Sequence, residues 1–214
     1  MITAAEFKKQ ITKPLGNKLR VLGFKGSGFQ YRMECAEFVF AIGIQASQWG
    51  GQCCAEYGIQ PKGIPAINGQ PIDLNKLTYS QCELRSRLSY KNKGDKWWAF
   101  SDDLQKNLAV ADEIFALIEQ QAMPVFKLFK EDPFVLDRIE LKDMSNIYKL
   151  VAAKIGGMDL MTTDIRFAWA MAQVYEKRDP KRARQFAAFG MSKLGPKDLF
   201  MGRAFFERVL KTEM

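Results

Sequence analysis

Two arginines one residue apart, Arg85 and Arg87, close a segment that reads CELRSRL. Side chains alternate across a strand, so both guanidinium groups point one way while Cys82, Leu84 and Leu88 point the other. Paired planar forks suit bidentate contact with a carboxylate or another anion. Upstream, IGIQASQWGGQCCAEYGIQ reads as a hairpin turning at Gly50-Gly51. That turn pairs Ile42 with Ile59, Ile44 with Tyr57, Gln45 with Glu56 and Gly43 with Gly58. Gln45, Ser47, Trp49, Glu56, Arg85 and Arg87 then share a polar face hollowed by two glycines, where a ligand or protein partner could approach the backbone closely. The architectural reading of the same residues is a cross-strand lattice in which Glu56 neutralises an arginine and Trp49 lids the sheet.

A second constellation, Lys91, Lys93 and Lys96 before Trp97-Trp98 and Phe100, interleaves positive charge with aromatic rings. That mixture suits weak binding of single-stranded nucleic acid, and more readily a loop anchored by its aromatics against neighbouring helices. The formal charge of +8 suits nucleic acid, an acidic protein partner or simple solubility, and it is uneven: 14 Lys and Arg face 7 Asp and Glu in residues 1–100, against 18 and 17 beyond. The run Lys181, Arg182, Arg184 reads as a solvated helix face.

Catalytic chemistry is thin. The chain has no histidine, which removes the commonest general base and the Ser-His and Cys-His nucleophiles. Glu56 with Gln45 and Arg85 is the one constellation worth naming, and a carboxylate beside arginine is a poor proton acceptor. Cys35, Cys53, Cys54 and Cys82 fall in predicted strands without a C-x-x-C pair, so neither a metal site nor a cofactor is expected. Gly23, Gly26 and Gly28 precede a strand, whereas a phosphate-cradling loop follows one. The reading leans away from an enzyme.

Holding these residues in place requires an α+β fold: a four-stranded antiparallel meander with helices on one face and a helical C-terminal extension. Thr3-Ala4-Ala5-Glu6 is a capping box, with Phe7, Ile11, Leu15, Leu19 and Leu22 at helical spacing and Pro14 kinking or dividing the helix. Strands are predicted at 29–35, 38–49, 52–60 and 80–90, with Phe29, Tyr31, Met33, Phe38, Phe40, Ile42, Ile44, Tyr57, Ile59, Cys82, Leu84 and Leu88 on the core face. A helix with Leu104, Leu108, Ala111, Phe115 and Ile118 inward then breaks at Met123-Pro124. Helices are also predicted at 142–154, 163–177, 180–193 and 197–211, the middle two as an antiparallel pair. We expect a sheet domain over 1–135 and a helical extension over 136–214. No apolar run reaches membrane length and MITAAEFKKQ lacks a signal-peptide core, so the expectation is a cytoplasmic protein without a membrane partner.

Four stretches carry a likeness to a known family. They are Leu22-Gly23-Phe24-Lys25 with Phe29-x-Tyr31-Arg32; Ile44-Gln45-x-Ser47-x-Trp49-Gly50-Gly51 with Tyr57-Gly58-Ile59; Cys82-x-Leu84-Arg85-x-Arg87-Leu88; and Met123-Pro124-Val125-Phe126. Over residues 3–130 the chain resembles the bacterial domain-of-unknown-function family numbered 4304. The chain departs from that pattern at Tyr57, where the family carries Asn. The resemblance implies an α+β fold and no activity. Through some relatives it implies an immunity-like or accessory role toward a toxin or other protein partner.

Overall fold

The computed structural model describes residues 2–90 and 95–211. Its first helix, α1 (Ala4–Val21), starts at the expected capping box: Thr3 N–H donates to Glu6 Oε2 at 2.7 Å and Glu6 N–H to Thr3 Oγ1 at 3.2 Å. Phe7, Ile11, Leu15 and Leu19 are buried in one stripe, and Pro14 lies within the helix without dividing it. Gly23, at φ +92°, turns the chain out, and Phe24 N–H bonds back to Leu19 O at 3.1 Å.

The sheet is antiparallel in the order β1 (Lys25–Ser27), β2 (Gln30–Glu34), β3 (Phe38–Ala46), β4 (Gln52–Pro61) and β5 (Leu84–Arg87), with β6 (Trp98–Ala99) also beside β4. Six strands replace the expected four, because β1 and β6 are too short for alternation to show. Residues 79–81 form a 3-10 turn, so the fourth predicted strand shrinks to β5.

The hairpin register also differs from expectation. Gln45 lies opposite Cys54, Gly43 opposite Glu56, Ile42 opposite Tyr57 and Phe40 opposite Ile59. Ser47 N–H bonds to Gln52 O at 2.8 Å, while Ser47 accepts from Trp49 N–H at its side chain and from Gly50 N–H at its carbonyl. The reversal therefore begins at Ser47 and the loop spans four residues, with Gly50 and Gly51 both at positive φ. The slip is by two residues, so every side chain keeps its face.

Helices cover the core face. Phe126 of α3 (Met123–Glu131) sits among Phe24, Phe40 and Tyr57, with ring centroids 6.0, 4.8 and 5.7 Å away. Burying each such ring stabilises the fold by about 1.5–3 kcal/mol. In α2 (Leu104–Leu117) the inward stripe is Asn107, Ala111, Ile114 and Leu117, rotated from the predicted one, and Leu104 is exposed. Asn107 turns inward because its amide bonds to both backbone groups of Ser101 and to Gln10. Between α2 and α3 the chain widens into a π turn, Ile118–Ala122, in which Met123 N–H bonds to Ile118 O. Pro124 has no N–H to continue the α ladder, which accounts for the widening.

The C-terminal part joins the same hydrophobic cluster, which runs from Phe7 to Val209. A 3-10 turn at Val135–Arg138 leads to 3-10 (Leu141–Asn146), π (Ile147–Val151) and α (α4, Ala152–Lys154) turns where one helix was expected. Asn146 breaks that run with an extended φ of −155° and caps the next turn through Lys149 N–H. α5 (Asp164–Tyr175) and α6 (Pro180–Ser192) pack together, and α7 (Arg203–Lys211) begins six residues later than predicted because residues 197–202 stay irregular. Arg166 of α5 reaches the sheet, bonding both oxygens of buried Glu83 at 3.0 Å. Among the described residues no helix is long and apolar enough to cross a membrane.

Candidate functional site

The glycine hollow on the polar face is filled by the chain itself. A Cβ on Gly43 would lie 1.9 Å from Tyr79 Cδ1, and one on Gly58 would lie 2.6 Å from Cys82 Cβ. The 3-10 turn Tyr79–Gln81 is held by Thr78 N–H donating to Gln81 Oε1 at 2.9 Å. Val39, Ala41, Leu77, Tyr79 and Cys82 form a small second core there, so Cys82 sits on the face opposite to its expected one. Burial, with the nearby Glu56 charge, pushes the Tyr79 phenol up to about 12.

Glu56 and Arg87 do meet. They are register partners, and Arg87 Nη2 donates to Glu56 Oε1 at 3.1 Å with the Glu56 side chain only 3 % exposed. Arg87 Nη1 also donates to Asp95, and the guanidinium lies 5.4 Å from the centroid of the Trp97 ring. Burial alone would lower the Arg87 pKa, but the bond to Glu56 and the surrounding negative charges outweigh it and the net direction is up. Arg87 is thus a cation held between two carboxylates.

The other sequence-predicted residues are dispersed. Arg85 lies opposite Gly58, and among the described residues its side chain bonds to Ser80 O alone, at 3.4 Å. Gln45 is exposed and accepts from the Cys54 thiol at 3.8 Å, Ser47 shapes the hairpin loop, and Trp49 stands 87 % exposed at its tip. In the Lys-Trp constellation, Trp98 is buried in β6 and its Nε1 donates to Glu113 Oε2 at 2.9 Å. Lys96 pairs with Glu113 at 3.3 Å, and Phe100 stacks on Phe7 at 4.3 Å. Burial would raise the Glu113 carboxyl, but its bonds from Tyr90, Trp98 and Lys96 prevail and hold it below the usual range. Lys91 and Lys93 lie outside the described residues. Arg182 of the basic run is structural: it donates to the Asp137 and Ile139 carbonyls and lies 4.3 Å from the Tyr175 ring centroid.

Beyond β5 the structure opens a cleft of about 580 Å³. Ser86, Arg87, Ser89 and Tyr90 line one side with Tyr57 and Asp95; Gln120, Gln121 and Pro124 from the helix break, and Gly156, Gly157, Asp159 and Met161, line the rest. Its size falls within the range of small-ligand sites. Leu88 N–H bonds to Ala55 O, so in the antiparallel ladder the even residues of β5 face β4 and Arg85, Arg87 and Ser89 present their backbones outward. Met161 N–H takes Arg85 O at 2.8 Å, and the Gln121 amide clamps both Ser89 N–H and Ser89 O. Between these closures, no described residue bonds to the Arg87 backbone.

Hydroxyls and carboxylates are prominent among the polar groups of the cleft. Burial pushes the Tyr57 phenol up to about 12, a bond with Ser86 opposes this and the charge of Asp159 adds to it, so Tyr57 stays protonated at neutral pH. Among the described residues no group of three His, Cys, Asp or Glu side chains is placed to hold a metal ion. Of the cleft residues, sequence reasoning identified Arg87 alone as a site residue; the Met123-Pro124 break was the one signal pointing at the opposite wall.

Sheet and helix layers together define an α+β protein with a polar cleft off one sheet edge. Residues 15–128 match the family described as a domain of unknown function, DUF4304, and the chain belongs to that family. No curated protein and no solved structure matches the chain.

Proposed function

We propose that this chain is an interaction protein whose partner enters the cleft beside β5. The observation that supports this most is the interrupted closure of the β5 edge, where the Arg87 backbone faces a 580 Å³ polar cleft between the Met161 and Gln121 contacts. An exposed strand edge with unpaired N–H and C=O groups is a template for an added strand. The Arg87 side chain is already engaged by Glu56 and Asp95, so it serves this site by fixing β5 rather than by capturing an anion.

The reading is tested by an NMR screen of short peptides and polar small molecules against the labelled protein. Shifts clustering at Arg87, Ser89, Gln121 and Gly157, and lost when Gln120→Trp crowds the cleft, are expected. Hits that cluster at the Trp49 tip and survive Gln120→Trp would overturn it.

Nucleic-acid binding is a second reading, favoured by the exposed Trp49 ring and the net charge of +8. It requires affinity for single-stranded RNA or DNA that falls steeply as salt rises.

A further inference from the structure

We infer that the cleft receives an extended segment of a partner protein carrying a lysine or arginine side chain; this rests on the interaction reading above. Two features meet there. The first is the backbone of Arg87, which offers one N–H and one C=O between the Met161 and Gln121 closures. At Arg85 this edge already accepts a bond from a distant stretch of the chain, through Met161 N–H, so an outward carbonyl of β5 is open to an approaching backbone N–H in its present conformation. The second is charge. Among the described lining residues Arg87 is the sole cation, and it is matched by Glu56 behind it and Asp95 beside it. Asp159 on the facing wall is exposed and has no ion pair among the described residues, yet its charge acts on the Tyr57 phenol inside the cleft. Among the described residues the local balance is therefore negative, within a chain whose overall charge is +8. An incoming anion would meet Asp95 and Asp159, whereas an ammonium or guanidinium group would complete them. The Tyr57, Ser86 and Ser89 hydroxyls add acceptors for its remaining N–H groups.

The probe is an acetylated, amidated pentapeptide of alternating threonine and valine around a central lysine, with norleucine and glutamate analogues, titrated against the labelled protein and read at the Arg87, Ser89 and Gly157 amides. The lysine peptide is expected to bind roughly tenfold more tightly than the norleucine peptide, the size of a charge-assisted hydrogen bond, and the glutamate peptide more weakly than either. Asp159→Asn should bring the lysine peptide down to the norleucine level and leave the norleucine peptide unchanged. Equal binding of all three overturns the cationic assignment and leaves the cleft reading standing. Lysine methylamide binding as well as the whole peptide overturns strand addition. If no peptide moves the Arg87 amide, and the broader screen also finds nothing at the cleft, the inference and the reading beneath it fall together.

Discussion

On the sheet face away from the helices, Gly43 and Gly58 leave hollows that Tyr79 and Cys82 fill, whereas at the β5 edge the backbone of Arg87 faces a cleft and pairs with no described residue. Both regions lack something that a continuous sheet would supply. In the first the chain supplies it from its own segment 77–82, producing a second small core. In the second the chain closes each side, at Arg85 and Ser89, and leaves the centre. A pair of glycines in a strand therefore signals close approach without saying whose atoms approach, and the opening has to be sought where closure stops.

The largest expected effect sharpens the division between the two arginines. Arg87→Ala strands Glu56, almost wholly buried beside the hollowed face, and should cost about 3 kcal/mol or more in urea unfolding. A loss below about 1 kcal/mol would mean that the pair is solvated like an ordinary surface bridge. Next comes Gly43→Ala, whose added methyl collides with the Tyr79 ring and should cost about 1–3 kcal/mol through overpacking. A neutral result there would show that the hollow is open in solution and would restore the polar face as a docking surface. Arg85→Ala should lie near the bottom of the scale, under about 1 kcal/mol, because its one side-chain hydrogen bond among the described residues is a long one to Ser80 O.

Acid provides a gentler probe of the wall that holds Tyr90 and Trp98. Glu113 titrates below its ordinary value in the folded chain, so its contribution is fully present above the unfolded value of about 4.3 and fades as pH falls through the folded one. Glu113→Gln should flatten that part of the stability curve below pH 4.3, measured by thermal melting in steps of pH. An unchanged acid limb would place the dependence on other carboxylates.

Much of the architecture could be read from residue order. The Thr3 to Glu6 capping box, the stripe from Phe7 to Leu19 and the alternation from Phe38 to Ile44 rest on local periodicity, which tertiary packing reinforces. The hairpin register did not follow, since the reversal starts at Ser47, two residues earlier than a two-residue Gly50-Gly51 turn requires. Faces survive such a slip but partners do not: across β3 Glu56 lies opposite Gly43 and not Gln45, which faces Cys54 instead. Asn107 displaced the leucine stripe of α2 because its amide serves three partners, a long-range fact invisible along the helix. The cleft was the least legible part. Its walls come from β5, the π turn and the residues around Gly156, separated by tens of positions; Arg87 marked the first and the Pro124 break hinted at the second, but nothing joined them.

The central claim, that no described residue pairs with the outward backbone of β5 at Arg87, is tested most directly by amide hydrogen exchange of the free protein at single-residue resolution. Ser86 and Leu88, which face β4, should be strongly protected, while the Arg87 amide should exchange orders of magnitude faster, near the rate of an unstructured chain. Protection of Arg87 equal to that of Ser86 and Leu88 would show that the edge is already closed, and would contradict the account.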